Sequence, residues 1–158
     1  MDAAADPRDP GAGLIEAVLR LRRSSPSRLL QAGLYAVGDT QLTPAQVDAL
    51  ECLAGRPLWR MHELAKHLNV EPSTATRTVD PLVRLGLAER EPDPVNRRYV
   101  VVQASTEGKA VARRIVAARL ALMRDVLGPM PVEDRAALTE LLTRYVDLIE
   151  AYAERTGR

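Results

Sequence analysis

The sequence predicts a mainly α fold with a small antiparallel β-wing. Its architecture is a winged helix-turn-helix with N- and C-terminal dimerisation helices. Three observations predict it. Val70 to Leu87 (VEPSTATRTVDPLVRLGL) reads as one helix with two unlike faces, preceded by a short helix and a tight turn. Ala88 to Glu91 and Tyr99 to Ala104 read as strands joined by Pro92 to Arg98, a hairpin with two arginines by its tip. Helices with apolar seams occupy both ends of the chain.

Taken in order, Met1 to Gly13 is acidic and rich in Ala, Pro and Gly. It lacks the basic start and apolar core of a signal peptide, so residues 1–13 are expected to be a disordered tail on a cytoplasmic protein. Leu14 to about Val37 is expected to be mostly helical, with Leu14, Val18 and Leu21 on one stripe and Ser24-Ser25-Pro26 as a break. Residues 14–38 thus form an N-terminal dimerisation segment. Its arginines, Arg20, Arg22, Arg23 and Arg28, read as a solvated face.

Residues 39–105 carry the winged segment. Leu42 to Ala54 is the best-marked helix: Thr43 and Gln46 make a capping box, Pro44 opens the first turn, and Gly55 ends it. Cys52 lies within it as a small packed thiol; as the only cysteine, it excludes an internal disulfide. Pro57-Leu58-Trp59 is extended enough to add a third strand beside the wing. Met61 to Leu68 is a short helix with Leu64, Ala65 and Leu68 inward, and Asn69-Val70-Glu71 is the turn, where Asn tolerates the left-handed conformation.

The next helix has Ala75, Val79, Leu82 and Val83 at the spacing of a buried stripe. Ser73, Arg77, Asp80 and Arg84 lie opposite, with Thr74 and Thr76 flanking. Small hydroxyls with one arginine suit a helix entering the major groove of DNA, where Arg can pair with guanine through two hydrogen bonds. Pro72 is pre-set for the first helical position, and Gly86-Leu87 is a stop. Residues 106–158 are read as C-terminal dimerisation helices. The first is capped by Thr106 and runs to about Leu127; after Gly128-Pro129-Met130-Pro131, the second carries Leu138, Leu141, Tyr145, Leu148 and Tyr152. Apolar seams of this length need a partner, and a second copy of the chain is the expected one.

Charge neither supports nor excludes a nucleic-acid partner. The 158 residues carry a formal net charge of +1. Between Asp39 and Gly108 there are eight Lys or Arg against ten Asp or Glu. A winged-helix module that dimerises and binds protein without reading DNA is therefore the competing reading. Catalysis has little to rest on. His62-Glu63 followed by His67 resembles a zinc-protease helix, but histidines five apart stand about 140° around a helix and cannot easily share a metal. No phosphate loop, nucleotide fingerprint or nucleophile elbow is present. No catalytic residue, metal or cofactor is expected.

With these motifs placed, the chain resembles the MarR family of bacterial transcriptional regulators. The cues are LTPAQVDALECLA, ELAKHLNVEPSTATRTVDPLVRLGLAER and DPVNRRYVVVQASTEGK, in that order, covering about Leu42 to Lys109. The resemblance implies a homodimer that binds a pseudo-palindromic operator in double-stranded DNA as a transcriptional regulator of the repressor type. Ser73, Thr74, Thr76 and Arg77 then match the major-groove residues, Arg97 and Arg98 the wing arginines that reach the minor groove, and Asp93 the acid that braces them. Two departures stand out. Asn96 replaces a usual Asp in the wing, and Pro81 removes the hydrogen bond to the Arg77 carbonyl inside the recognition helix. The resemblance also implies release by a small aromatic or phenolic ligand, for which Tyr35, Trp59, Met61 and His62 are the candidates. Peroxide sensing through a cysteine in the first helix is not expected, since none is there.

Overall fold

The computed structural model describes residues 10–23, 33–97 and 99–157. The chain divides into two compact units, Met1–Val116 and Ala117–Arg158. In chain order the described elements of the first are α1 (Pro10–Arg23), β1 (Ala36–Val37), β2 (Thr40–Gln41), α2 (Pro44–Gly55), β3 (Trp59–Arg60), α3 (Met61–His67), α4 (Pro72–Arg84), β4 (Ala88–Pro92) and β5 (Val100–Ala104). Helix α5 (Thr106–Leu127) starts in the first unit and ends in the second, which α6 (Val132–Thr156) completes.

The N-terminal expectations need two corrections. Helix α1 starts at Pro10, so Pro10 to Gly13 are helical rather than part of a tail. The helical reading also fails near Val37: Ala36 pairs with Gln41 and Val37 with Thr40 in a small antiparallel hairpin. Gly38 turns it at a φ of 56°, where an L side chain would be strained. The Leu42 N–H then donates to the Tyr35 carbonyl at 2.9 Å and seals the hairpin's base. The expected break at Ser24-Ser25-Pro26, and Arg28, lie outside the described residues.

Helix α2 begins as its sequence demands. The Gln46 N–H donates to Thr43 Oγ1 at 3.3 Å, and the Thr43 N–H donates to Gln46 Oε1 at 2.8 Å, satisfying two donors that the helix start would leave open. Its inward Val47, Leu50 and Leu53 are fully buried. They meet Leu64 of α3, Val79 and Leu82 of α4, and Val102 of β5 in one core. At about 25 cal/mol per Å² of apolar surface removed from water, each large side chain there contributes roughly 1.5–3 kcal/mol.

Asn69 takes the left-handed turn between α3 and α4 with a φ of 53°. The end of α4 is a Schellman closure: the Leu87 N–H donates to the Leu82 carbonyl at 2.8 Å and the Gly86 N–H to Val83 at 3.0 Å, with Gly86 at φ 70°. Three strands then form a sheet in the order β3-β5-β4, antiparallel throughout. Trp59 faces Val102 across β3 and β5, and Ala88 to Pro92 pair with Ala104 to Val100. The third strand is Trp59–Arg60, slightly later than Pro57-Leu58-Trp59.

Ser105, not Thr106, caps α5. Its Oγ accepts the Gly108 N–H at 2.9 Å and donates to the Gly86 carbonyl at 2.6 Å, tying the helix start to the end of α4. In the second unit, the Arg135 guanidinium donates to the Met130 carbonyl at 2.8 Å and the Gly128 carbonyl at 3.0 Å, clamping the interhelical turn. No described residue of α6 is buried, and Leu141, Leu148 and Tyr152 are all exposed.

Candidate nucleic-acid interface

Helix α4 is strongly two-sided. Ala75, Val79 and Leu82 are fully buried while Ser73, Thr74, Thr76 and Arg77 are exposed, so the polar N-terminal half is displayed by the packing of the other face. The Thr76 hydroxyl donates to the Pro72 carbonyl at 3.0 Å, and Thr78 Oγ1 donates to Thr74 at 2.9 Å. This spends the Thr76 proton on the backbone and leaves its oxygen outward as an acceptor. Pro81 does not end α4, which continues to Arg84. Asp80, expected on the wet face, is ion-paired to Arg90 of β4 at 2.7 Å. That pair links α4 to the wing; it takes up one acid and one base, so the charge balance of the segment is unchanged.

The wing loop is built on Asp93. Its side chain is only 5% exposed. Oδ1 accepts the Val95 N–H at 2.8 Å and the Asn96 N–H at 3.2 Å, and Oδ2 accepts Arg60 Nε at 2.7 Å. The Val95 N–H and then Arg60 hold this carboxyl below the usual aspartate range. The sequence reading gives Asp93 the bracing of Arg97 and Arg98. Among the described residues its charge partner is Arg60 of β3, and it shapes the wing loop through the backbone. Arg97 stands exposed in that loop, and Arg98 lies outside the described residues. Arg60 and Arg90 were missed from the sequence. Arg60 is separated from Asp93 by 33 positions, so no local spacing announces the pair.

Two of the four ligand candidates share a groove. Trp59 and His62 line one surface groove of about 680 Å³ with Arg56, Glu63, Lys66 and His67. Tyr35 is 8% exposed in the core, and Met61 packs against that core; neither lines the groove. Trp59 is itself mostly buried, with Nε1 donating to the Cys52 carbonyl at 3.0 Å and Arg56 stacked 4.6 Å from its ring centre. Cys52 is partly buried, and desolvation, followed by Asp48 and Glu51, pushes its thiol above the ordinary cysteine range. That environment disfavours the reactive thiolate. Among the described residues, no group of three or more His, Cys, Asp or Glu is placed to hold a metal, and no helix is long and apolar enough to cross a membrane.

Comparison with known proteins places this geometry. Residues 42–100 match the family model described as the MarR family. The HTH-type transcriptional regulator PecS of Dickeya dadantii is 33% identical over 82 residues, 52% of this chain; the match spans about half, 49%, of PecS. Wild-type MarR from E. coli, solved in its apo form, is 28% identical with a TM-score of 0.65, covering 86% of this chain and 96% of that one. Streptococcus pneumoniae FabT, solved in complex with DNA, shares the fold at a TM-score of 0.76 and 18% identity, over 89% of this chain and 99% of that one. The family's members are transcriptional regulators rather than enzymes. Over its winged segment, residues 42–100, the chain is similar to the MarR family, and its fold is that of these neighbours.

Proposed function

We propose that this chain is a cytoplasmic transcriptional regulator that binds a pseudo-palindromic operator in double-stranded DNA as a homodimer and represses from it. The observation that carries the reading is the exposed quartet Ser73, Thr74, Thr76 and Arg77 on the first turns of a helix whose other face is fully buried, beside a wing that presents Arg97. In this reading the quartet enters the major groove, and Arg97 with Arg98 reaches the flanking minor groove. The effector class implied by the family is a small aromatic or phenolic molecule. Trp59 and His62 along one groove are the part of the candidate set that supports it.

The test is selection from random duplexes followed by footprinting at two salt concentrations. Two inverted half-sites about one helical turn apart, with affinity that falls steeply with salt, are expected. Recovery of no inverted repeat would favour the second reading, a dimerising interaction module, which the eight-to-ten balance of basic to acidic residues between Asp39 and Gly108 supports.

A further inference from the structure

We infer that Arg60 is the positioning residue of the wing: from the edge strand β3 it locks both ends of the wing loop and so sets where Arg97 is presented. The inference rests on the DNA-binding reading above. The loop has no apolar anchor of its own at its tip, where Val95 is 89% exposed. Its shape comes from polar contacts instead. Asp93 receives the Val95 and Asn96 N–H groups on one oxygen, its own N–H donates to the Tyr99 carbonyl at 2.9 Å, and the Tyr99 N–H donates to Asn96 at 3.0 Å.

A carboxylate this buried requires a compensating charge. Arg60 provides it through Nε, and the same guanidinium lies 5.1 Å from the centre of the Tyr99 ring. One side chain therefore touches the first and the last residue of the loop that carries Arg97. Arg60 is itself fixed from below, because β3 pairs with β5 and places Arg60 opposite Val101. An exposed ion pair alone would contribute little. Here the acid is buried and accepts three bonds, so charge, backbone and ring act as one unit. Lysine could replace it only in part, since its ammonium would supply the charge but no planar face for the Tyr99 ring.

The experiment uses the full chain and two readouts. Hydrogen exchange is measured at the Val95 and Asn96 amides in the native protein, Arg60→Gln and Arg60→Lys. Binding is measured to a selected duplex with A·T-rich flanks and to one with G·C flanks, adding Arg97→Ala alone and combined with Arg60→Gln. Arg60→Gln should speed exchange of the two amides about three- to ten-fold, the range for a partly exposed charged hydrogen bond. The amides of Leu50 and Val102 should not change. Flank preference should drop to that of Arg97→Ala, with no further loss in the double variant, and Arg60→Lys should fall between. Should Arg60→Gln unfold, Asp93→Asn is measured in its place with the same expectation. Unchanged loop amides, or flank losses that simply add, would overturn the assignment. A native protein that selects no duplex fails the DNA reading, and with it the wing's role on DNA; that failure shows before any variant is made.

Discussion

Arg77 and Arg97 carry the same charge on supports that suit different tasks. Arg77 projects from a helix whose opposite face is fully buried, so its position is held to the rigidity of the core. Arg97 rides on a seven-residue loop held by Asp93 and Arg60. Arg77→Ala is expected to cost about 1–3 kcal/mol of discrimination between the selected duplex and a mismatched one. Arg97→Ala should weaken binding to all sequences and flatten its salt dependence. Equal losses on cognate and random duplexes for Arg77→Ala would assign base reading elsewhere. Asp93 adds a pH effect of definite sign. Its carboxyl titrates lower folded than unfolded, mainly through the Val95 N–H and then Arg60. As pH falls past about 4 the unfolded chain takes up the proton first. Asp93's contribution to stability is therefore complete above that pH and lost as pH falls through the folded value. The stability gap between native protein and Asp93→Asn in urea melts should narrow as pH falls from 6 to 3; an equal gap at both would refute the linkage.

At the scale of elements, a close joint lies between the end of α4 and the start of α5. A Cβ at Gly108 would land on the Leu87 carbonyl, which is backbone and cannot swing away. Gly108→Ala gains roughly 1 kcal/mol of helix propensity. The forced shift costs about 1–3 kcal/mol where packing is complete, and Leu50 lies on the same side. Net destabilisation is expected in urea titration, and a more stable variant would show that the joint can yield. This joint also marks what could be read in advance. The capping box of α2 was legible because Thr43 and Gln46 are three apart and satisfy each other locally. The two faces of α4 were legible because periodicity alone separates Ala75, Val79 and Leu82 from Ser73 and Arg77. The sequence does not separate Ser105 from Thr106, because both have hydroxyls and the decision lies with the distant Gly86 carbonyl. The hairpin at Ala36 to Gln41 was hidden for a different reason. Two-residue strands have no period to detect, and Gly38 was its one local sign. Arg60–Asp93 and Asp80–Arg90 join residues far apart in sequence, so only the folded core brings them together.

At the scale of the molecule, the two ends of the chain display apolar surface that a single copy leaves in water. Helix α6 has 25 residues and none is buried. Leu141 is 61% exposed and Leu148 63%, with Tyr145 and Tyr152 exposed on the same helix. Near the start, Val18 and Leu21 are also exposed. An isolated helix of this kind is held in water by its own hydrogen bonds alone, and most helical stability in proteins comes from packing an apolar face. Apolar exposure on this scale marks an association surface. A second copy is the occupant that the proposed operator reading calls for, since two-fold symmetry in the protein would match two-fold symmetry in the site. Sedimentation at micromolar concentration should therefore show one species of twice the chain mass. The melting temperature should rise with protein concentration, because association binds only the folded state. Leu141→Asp with Leu148→Asp should bring the sedimenting mass toward that of one chain. The same change should weaken binding to the full inverted repeat far more than to one half-site, since the second half-site would no longer be bound in the same event. A native chain that sediments as a single copy with a concentration-independent melt would remove the basis for two recognition helices acting together.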